Sequence, residues 1–562
     1  MAGNLKSKRS FSFKLRPLIQ GITLIFFVYL FLKIAYPFQK NLATNAFYNF
    51  DPLITLIMVL SGTFFISALL YSVFTVILTL LFGRMFCGWI CPMGTIFDLS
   101  EYLLLKKRLP LKRVKKPYGN GPYKNIKYYI LMFLLFGSLF GFTAVMMFDP
   151  LVFLFRVFTV NLHPFAILGA NEFLDLIRPL AFKTGALKLS MLSFEQPAFS
   201  LGLFNLSLFL AVIGLISVER RFWCRNLCPL GALLAVLSRF SIRGRRVSIE
   251  CISCAKCAKS CPMNAITDNY MGTSPRECIQ CERCKDVCPV NAISFDMGRV
   301  VEEQSFNPSR RGIMLSGTGG IIAALGAGTL LSTKTTAGTL LRPPGAIVER
   351  DFLDTCLRCG ECMKGCPTHG LQPAFLSAGL EGMFTPVLTP RAGACEEQCN
   401  ICGQVCPTGA IRALSLEEKQ YAVIGNATIE RNLCIAWEQG KVCLICDEVC
   451  PYDAVEFKLV KDELGSIKRP FVIEDKCVGC GQCEKGCPVN GPAAIHITPI
   501  NEVRKNSGSY ITENVRRLRE VNDDNVDFSK ETGFSDEKTM PYQIETEPET
   551  DDFESDLPAG FN

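Results

Sequence analysis

The spacing of the cysteines limits the fold of this chain more than any other feature of the sequence. Cysteines separated by two, two and three residues and followed by proline occur in CISCAKCAKSCP and again in CIQCERCKDVCP, and this similarity indicates an internal duplication. Three thiolates at this spacing can hold one side of a cubane iron–sulfur cluster, while the fourth cysteine reaches the other cluster of the pair. The predicted ligands are therefore Cys251, Cys254, Cys257 and Cys288 for one cluster, and Cys278, Cys281, Cys284 and Cys261 for the other.

Four more sets of four cysteines follow, each ending in Cys-Pro. The first and last sets have the same spacing, whereas the second has one extra residue in its first gap and the third has a first gap of eight. Structural zinc is the alternative, but zinc sites usually pair two Cys-x2-Cys halves across a longer loop. We therefore predict six [4Fe–4S] clusters in total. The predicted ligands here are Cys356, Cys359, Cys362, Cys366, Cys395, Cys399, Cys402, Cys406, Cys434, Cys443, Cys446, Cys450, Cys477, Cys480, Cys483 and Cys487.

The remaining four cysteines form two Cys-x3-Cys-Pro pairs, in GRMFCGWICPMG and in RRFWCRNLCPLG. They are Cys87 with Cys91 and Cys224 with Cys228, and both pairs follow apolar stretches, so they could converge on one face of a membrane. They could also be buried structural thiols, because free cysteine is commonly buried. Two matching pairs favour a redox or metal-binding site, with a position near quinone as one form of it, and the spacing alone does not distinguish these.

The hydropathy pattern predicts a membrane protein. The mean hydropathy is +0.25, and the excess lies in stretches near 17–37, 63–83, 127–148 and 200–218, which are long enough to cross a bilayer. We therefore predict that residues 1–245 form a four-helix transmembrane domain. Basic residues are concentrated between the second and third stretches and after the fourth, which assigns those segments to the cytoplasm and residues 149–199 to the outside. The net charge of +7 thus reflects basic segments that orient the chain in the membrane, and nucleic-acid binding is not predicted.

The rest of the chain divides into four segments. Residues 246–300 are predicted to form a two-cluster ferredoxin domain and residues 341–505 a four-cluster ferredoxin domain, both α+β and of bacterial type. Between them, residues 305–335 contain Ser-Arg-Arg before a Gly-rich apolar stretch, and we interpret this segment as a twin-arginine-like export signal and fifth span. Residues 519–562 are acidic and are predicted to be a disordered tail. The predicted fold class is therefore a multidomain membrane protein.

Several cofactors are excluded by what the sequence lacks. The chain has only three histidines, and only His163 lies in the predicted membrane part, so a bis-histidine haem b is not predicted there. His163 itself is more typical of an interfacial polar residue than of a quinone ligand. No Gly-rich dinucleotide fingerprint follows a strand and opens a helix, so NAD and FAD are not predicted either.

These motifs resemble two known families in succession. Residues 1–300 are similar to the NapH type of membrane ferredoxin, which has two Cys-x3-Cys-Pro motifs and a cytoplasmic cluster pair. Residues 305–505 are similar to the MauM/NapG type of four-cluster ferredoxin, including the twin-arginine start and the segment LRPPGA before the first cysteine set. The resemblance implies an electron-transfer subunit of a quinol dehydrogenase-like system in the bacterial inner membrane. Its first ferredoxin domain would be cytoplasmic and its second periplasmic, with quinol as the electron donor and a periplasmic reductase or cytochrome c as the partner.

The four-cluster region also resembles the electron-transfer subunits of molybdenum oxidoreductases. That resemblance implies a nested arrangement, in which the first cysteine set pairs with the fourth and the second pairs with the third. No acid–base catalytic residue is predicted, because each cluster carries one electron and no substrate needs to bind. Two other functions stay open: a maturation factor that keeps a partner's metal centre or thiols reduced, and a cytoplasmic ferredoxin–quinone module, which would require residues 341–505 to stay inside.

Overall fold

The computed structural model describes residues 11–36, 45–62, 66–107, 123, 125–298, 309–326, 340–379, 381–462 and 465–511. The predicted acidic tail, residues 519–562, lies outside the described residues. The chain up to Tyr510 forms one compact unit.

Apolar helices build the first part of this unit. They are α1 (Phe11–Lys33), α2 (Ala46–Asn49), α3 (Pro52–Leu60), α4 (Ile66–Phe82), α5 (Pro92–Lys107), α6 (Ile126–Ser138), α7 (Pro150–Val157), α8 (His163–Lys183), α9 (Leu187–Ser190), α10 (Gly202–Gly214) and α11 (Pro229–Leu237). Three π-helical turns interrupt them, at Phe86–Ile90, Phe158–Leu162 and Trp223–Leu227. We refer to these elements together as the helical bundle.

Two helical runs among the described residues are long and apolar enough to cross a membrane, Leu15–Lys33 and Pro150–Lys183. Length and composition alone make this weak evidence, because buried core helices and signal sequences can have the same properties. Shorter apolar helices cover Leu70–Phe82, Ile126–Ser138, Gly202–Ser217 and Pro229–Phe240. A four-helix transmembrane domain therefore stays a prediction.

The segment 149–199, which the distribution of basic residues assigned to the outside, is mostly helical. Pro150 occupies the first turn of α7, and the Asp149 carboxylate accepts hydrogen bonds from the amides of Leu151 at 2.9 Å and Val152 at 3.2 Å. Capping by an acidic side chain followed by proline is a strong helix start. The run Pro150–Lys183 is one of the two candidate spans among the described residues, and the assignment of this segment to the outside stays a prediction.

The same start occurs once more in the bundle. Asp51 accepts a hydrogen bond from the Leu53 amide at 2.8 Å, and Pro52 opens α3. The sequence Phe-Asp-Pro-Leu therefore occurs at residues 50–53 and at 148–151, each time at the start of a short helix.

The first ferredoxin domain packs against one end of the bundle. Its antiparallel strands β1 (Arg243–Val247) and β2 (Ile293–Met297) flank the short helices α12 (Lys256–Ser260) and α13 (Arg283–Asp286). The Trp89 indole donates a hydrogen bond to the Gln280 carbonyl at 3.0 Å. A side chain at Gly88 would collide with the Ile279 carbonyl oxygen, so only glycine permits this close approach.

The segment interpreted as a twin-arginine-like signal and fifth span forms α14 (Arg310–Gly326), which lies along α6. The contact face carries Gly312, Gly317 and Gly320, which lie against Tyr129, Phe136 and Phe133 of α6. A Cβ at Gly320 would collide with the Phe133 carbonyl oxygen and would lie 3.1 Å from the Gly137 nitrogen. Small residues on such a face let two helix backbones approach closely, as is common for helices in membranes.

The four-cluster domain contains short elements between its cysteine sets. The helices are α15 (Glu349–Thr355), α16 (Glu361–Gly365), α17 (Ile401–Gln404), α18 (Leu416–Gln420), α19 (Ile435–Glu438), α20 (Ile445–Glu448) and α21 (Gln482–Gly486). The strands are β3 (Leu371–Pro373), β4 (Pro386–Leu388), β5 (Asn426–Ile429), β6 (Val455–Asp462), β7 (Gly465–Val472) and β8 (Ile495–Thr498), paired antiparallel as β3–β4, β5–β8 and β6–β7.

This domain packs against the other end of the bundle. Near the start of α1, Arg16 donates a hydrogen bond to the Gly88 carbonyl at 3.0 Å, close to the first ferredoxin domain. Directly after α1, the Ile34 carbonyl accepts a hydrogen bond from Lys364 of the four-cluster domain at 3.1 Å. An α-helix rises about 26 Å from residue 16 to residue 33. The two ferredoxin domains therefore lie near opposite ends of α1, the first of them through Gly88.

Candidate iron–sulfur centres

In the first ferredoxin domain the cysteines are gathered in two overlapping groups. Cys261, Cys278, Cys281 and Cys284 line one cavity. Cys257 and Cys288 belong to a buried group that also contains Cys284, and Cys251 packs against it. The exposed Cys254 lies near Cys257, whose sulfur accepts a long hydrogen bond from Arg245 at 3.6 Å. The division of these eight cysteines into two ligand sets stays a prediction.

The backbone around each second cysteine of the regular sets has a repeated conformation. The flanking residues have positive φ angles: Ser253 (51°) and Ala255 (59°), Gln280 (54°) and Glu282 (54°), Arg358 (60°) and Gly360 (87°), Gly479 (77°) and Gly481 (84°). Left-handed residues next to ordinary ones turn successive amide N–H groups toward one point, which forms an anion-binding concavity. This geometry fits a sulfur-rich, negatively charged cluster at each site.

In the four-cluster domain, neighbouring cysteine sets pair with each other. Cys450 lines a cavity with Cys477, Cys480 and Cys483, and the reciprocal cavity contains Cys434, Cys443, Cys446 and Cys487. The first and second sets exchange their last cysteines in the same way. Cys406 lies near Cys356, Cys359 and Cys362, and Cys366 lies near Cys395, Cys399 and Cys402.

The nested pairing inferred from the molybdenum oxidoreductase subunits was therefore wrong. The short helix that precedes the last cysteine of one set packs against a helix of the adjacent set: α16 against α17, and α20 against α21. A glycine at each crossing makes room, because a Cβ at Gly365 would lie 3.2 Å from Ile401 and one at Gly486 would lie 3.3 Å from Val449. The long first gap of the third set contains α19, which explains how eight residues fit between Cys434 and Cys443.

The electrostatic environment of these cysteine groups fits the binding of a positively charged iron–sulfide core by thiolates. Burial raises the pKa of the Cys278 thiol to about 12, and nearby Cys281 adds to this effect. Burial likewise raises the pKa of Cys480 to about 12. Thiolates can gather at such positions only when a metal compensates their charge. Among the described residues, no group of three or more His, Cys, Asp or Glu side chains is arranged for a single metal ion.

The two Cys-x3-Cys-Pro pairs are brought together inside the bundle. Cys87 and Cys224 each lie in a π-helical turn, and Cys91 and Cys228 each precede the proline that opens a helix, α5 and α11 respectively. The four cysteine side chains lie close enough for their charges to interact. Cys87 and Cys224 also pack against the same small apolar group as Cys261, Cys278 and Cys281 of the first ferredoxin domain. We call these four residues the cysteine quartet.

Comparison with known proteins agrees with this chemistry. A family model for a 4Fe–4S binding domain matches residues 54–112 and 201–250, and a model for a 4Fe–4S dicluster domain matches residues 277–370 and 441–490. The ferredoxin-type protein MauM of methylamine utilization from Methylobacillus flagellatus is 38% identical over 182 residues, which is 31% of this chain and 74% of that protein. The ferredoxin-type protein NapG of Escherichia coli (strain K12) is 36% identical over 202 residues, 34% of this chain and 86% of that protein.

This chain belongs to the MauM/NapG family of ferredoxin-type proteins. A further MauM protein, from Paracoccus denitrificans, is 36% identical over 186 residues, 32% of this chain and 81% of that protein. The chain is thus an iron–sulfur electron-transfer protein of MauM/NapG type with 4Fe–4S binding domains. The NapG part of the resemblance is confirmed, while the resemblance of residues 1–300 to NapH stays a prediction.

Sequence reasoning missed the charged residues around the quartet of this MauM/NapG protein. Arg84 and Arg221 each stand three residues before the first cysteine of a pair, and both side chains are fully buried. Arg221 pairs with Asp98 at 2.8 Å, and Arg84 lies 3.4 Å from Glu277. The repeated Arg-x2-Cys-x3-Cys-Pro spacing was the signal that could have identified both arginines.

His163, the one histidine of the predicted membrane part, lies near His369 of the four-cluster domain, with ring centroids 6.4 Å apart. Its ring also packs edge-on against Phe31. This position at the boundary between bundle and ferredoxin domain fits the interpretation as an interfacial residue.

Proposed function

We propose that this chain carries electrons across the bacterial inner membrane, from quinol to a periplasmic oxidoreductase. When bound, each [4Fe–4S] cluster accepts and donates one electron. The protein's part is to hold the clusters at defined positions on both sides of the bundle. The donor and the acceptor are inferred from the resemblance to quinol dehydrogenase systems.

One observation carries the proposal: the two ferredoxin domains lie near opposite ends of α1. The rise of about 26 Å along α1 is close to the hydrocarbon thickness of a bilayer, about 30 Å. A soluble polyferredoxin has no need to separate its clusters by a layer of apolar helices.

The position of α14 supports the same topology. At its start, the Ser309 amide donates a hydrogen bond to the Tyr129 hydroxyl at 3.2 Å, near the beginning of α6. At the far end of α6, Gly141 lies against Asp354 of the four-cluster domain, so that a Cβ at Gly141 would be 3.2 Å from the carboxylate. A retained α14 would therefore lead the chain from the first ferredoxin domain to the second, and we infer that this helix is a span as well as an export signal.

Sidedness tests the proposal directly. We would insert one epitope tag between residues 298 and 309 and a second after residue 511, and expose spheroplasts and inverted vesicles to protease. We expect only the second tag to be digested in spheroplasts and only the first in inverted vesicles, with both digested after detergent. Digestion of both tags from the cytoplasmic side would contradict the proposal and favour a cytoplasmic ferredoxin–quinone module.

A further inference from the structure

We propose that Cys87, Cys91, Cys224 and Cys228 hold a seventh [4Fe–4S] cluster, which passes electrons between the two ferredoxin domains. The existence of this cluster rests on the geometry of the quartet alone. Its role as a relay rests on the proposed function, because that role requires electrons to cross the bundle.

The first support is the reciprocal arrangement of the two motifs. Arg221, from the second motif, donates hydrogen bonds to the Cys87 carbonyl at 3.4 Å and to the Gly94 carbonyl at 3.1 Å in the first. Arg84, from the first motif, reaches Gly231 in the second, where a Cβ would lie 2.9 Å from the Arg84 Nη2 atom. The Cys228 sulfur lies 3.3 Å from the same point. Each arginine therefore crosses to the other motif and encloses the quartet.

The second support is the pair of helix starts. α5 and α11 both begin directly after the last cysteine of a motif, so their free amide groups and helix dipoles point toward the quartet. One of these contacts is already formed, because the Gly231 amide donates a hydrogen bond to the Cys228 sulfur at 3.2 Å. Such donors stabilise negative charge on sulfur.

The third support is the charge around the site. Asp98 is shared by Arg221 and Arg16, and Glu277 is shared by Arg84 and Lys127. In each group the cations outnumber the carboxylate, and Arg283 is a further cation near Asp98. An oxidised [4Fe–4S] core with four thiolates carries two negative charges and would offset part of this excess. Four neutral thiols would offset none of it, and buried positive charge without a partner is costly.

The fourth support is a set of buried donors. Arg84 has no exposed surface, yet its Nε and Nη2 atoms have no hydrogen-bond partner within the described part of the chain. The same holds for the indole nitrogen of Trp223, the residue before Cys224. Buried donors without partners are rare in native proteins, and cluster sulfides would be acceptors for them.

The position of the quartet also suits a relay. On one side, Gly88 follows Cys87 and touches Ile279, which follows Cys278. On the other side, Trp223 stacks on Phe153 with ring centroids 6.2 Å apart, and Arg156 lies over the Phe153 ring at 5.6 Å.

From Arg156 the contacts continue to the four-cluster domain. Its guanidinium donates a hydrogen bond to the Arg358 carbonyl at 3.5 Å, and Arg358 lies between Cys356 and Cys359. A series of contacting residues therefore connects the cysteine quartet to both ferredoxin domains.

The matched family model agrees with this assignment. Its two segments, 54–112 and 201–250, describe a 4Fe–4S binding domain, and the quartet provides all the cysteines within them. Transfer through the centre forms and breaks no bond: one electron enters from a reduced cluster, lowers the core charge by one, and leaves to the next cluster without a proton.

Iron and sulfide content test whether the cluster exists. Purified anaerobically, the full chain should contain about 28 iron atoms, counting four for each of seven clusters. The double variant Cys87→Ser/Cys224→Ser should contain about 24 and lose one cluster from the integrated EPR signal of the reduced protein. Met93→Leu, a volume-conserving change in the same motif, should keep the full content. A wild-type content of about 24 iron atoms would overturn the proposal even if the serine variant did not fold.

Electron transfer in proteoliposomes tests the relay. A reduced flavodoxin, which does not cross membranes, is added on the side of the first ferredoxin domain, and EPR follows the clusters of the second. We expect reduction of both domains in wild type and of the first domain only in the serine variant. Unchanged transfer in the variant would overturn the relay while leaving the proposed function intact. No transfer in wild type containing seven clusters would instead contradict the proposed function and leave the seventh cluster standing.

Discussion

Arg342 shows how one buried side chain stabilises the four-cluster domain. Its guanidinium donates to both oxygens of Glu349, at 3.0 and 2.5 Å, and to the Thr385 hydroxyl at 2.9 Å. Arg504, from the end of the domain, also pairs with Glu349 at 2.5 Å. One carboxylate therefore connects the start of the domain to its last described segment.

Removing this carboxylate charge should destabilise the domain. Hydrogen bonding and charge pairing with Arg342, together with the charge of Arg504, hold the pKa of Glu349 below its usual value despite burial. We expect Glu349→Gln to lower the free energy of unfolding by about 2–3 kcal/mol, because it leaves a buried arginine without its partner. A thermal melting curve, monitored by the loss of visible absorption from the clusters, measures this effect.

The pH dependence of that loss follows from the sign of the pKa shift. A lowered folded-state pKa contributes stability above the unfolded pKa of about 4.3, and this contribution disappears as pH falls through the folded value. The difference between wild type and Glu349→Gln should therefore be constant through the neutral range. Glu417→Gln, at an exposed position of α18, is the control and should melt like wild type. A difference that shrinks between about pH 6 and 8 would contradict the assignment.

At the scale of elements, the packing of α14 on α6 depends on single glycines. Gly319 and Gly320 are adjacent, but only Gly320 meets backbone: a Cβ there would collide with the Phe133 carbonyl oxygen, whereas one at Gly319 would lie 3.7 Å from the Phe133 ring. The two positions therefore provide a matched pair of substitutions.

We expect Gly320→Ala to separate α14 from α6 and Gly319→Ala to leave the contact intact. In an α-helix alanine is otherwise favoured over glycine by about 1 kcal/mol, so any loss at Gly320 reflects helix packing. Limited proteolysis in membranes, with cleavage between residues 326 and 340 as the readout, measures the difference. Equal cleavage of the two variants would show that α14 does not depend on this contact.

At the scale of the whole molecule, the cysteines are part of the core. Cys359, Cys362, Cys399, Cys477 and Cys483 belong to the same buried group as side chains of the bundle. Within the described residues of the four-cluster domain, the strands form two-stranded sheets, and two-stranded pairs are marginal by themselves. Its stability must therefore depend strongly on the clusters.

Removal of the clusters should consequently unfold this domain before the bundle. Treatment with ferricyanide and EDTA is expected to expose residues 340–510 to protease, since metal binding and folding are coupled. The long helices of the bundle should keep most of the helical circular dichroism of the chain. Reconstitution with iron and sulfide should restore protection. A domain that stays protected without iron would contradict this dependence.

The cysteine spacing determined the chemistry of this chain. It identified 4Fe–4S binding, because closely spaced thiolates that can hold one cluster are a local property of the chain. Two of the eight Cys-Pro motifs, at Cys91 and Cys228, follow apolar runs and lie within the bundle, whereas the other six lie in the two ferredoxin domains.

Only the tertiary structure decided which sets share clusters, and it replaced nested pairing with pairing of neighbours. Exchange of a last cysteine depends on which short helices cross, and that depends on the room left by Gly365 and Gly486. The structure likewise revealed the helices in 149–199, the ferredoxin domains at opposite ends of α1, and the buried charges around the quartet. Contacts between residues far apart in sequence create these features, so no local pattern of residues specifies them.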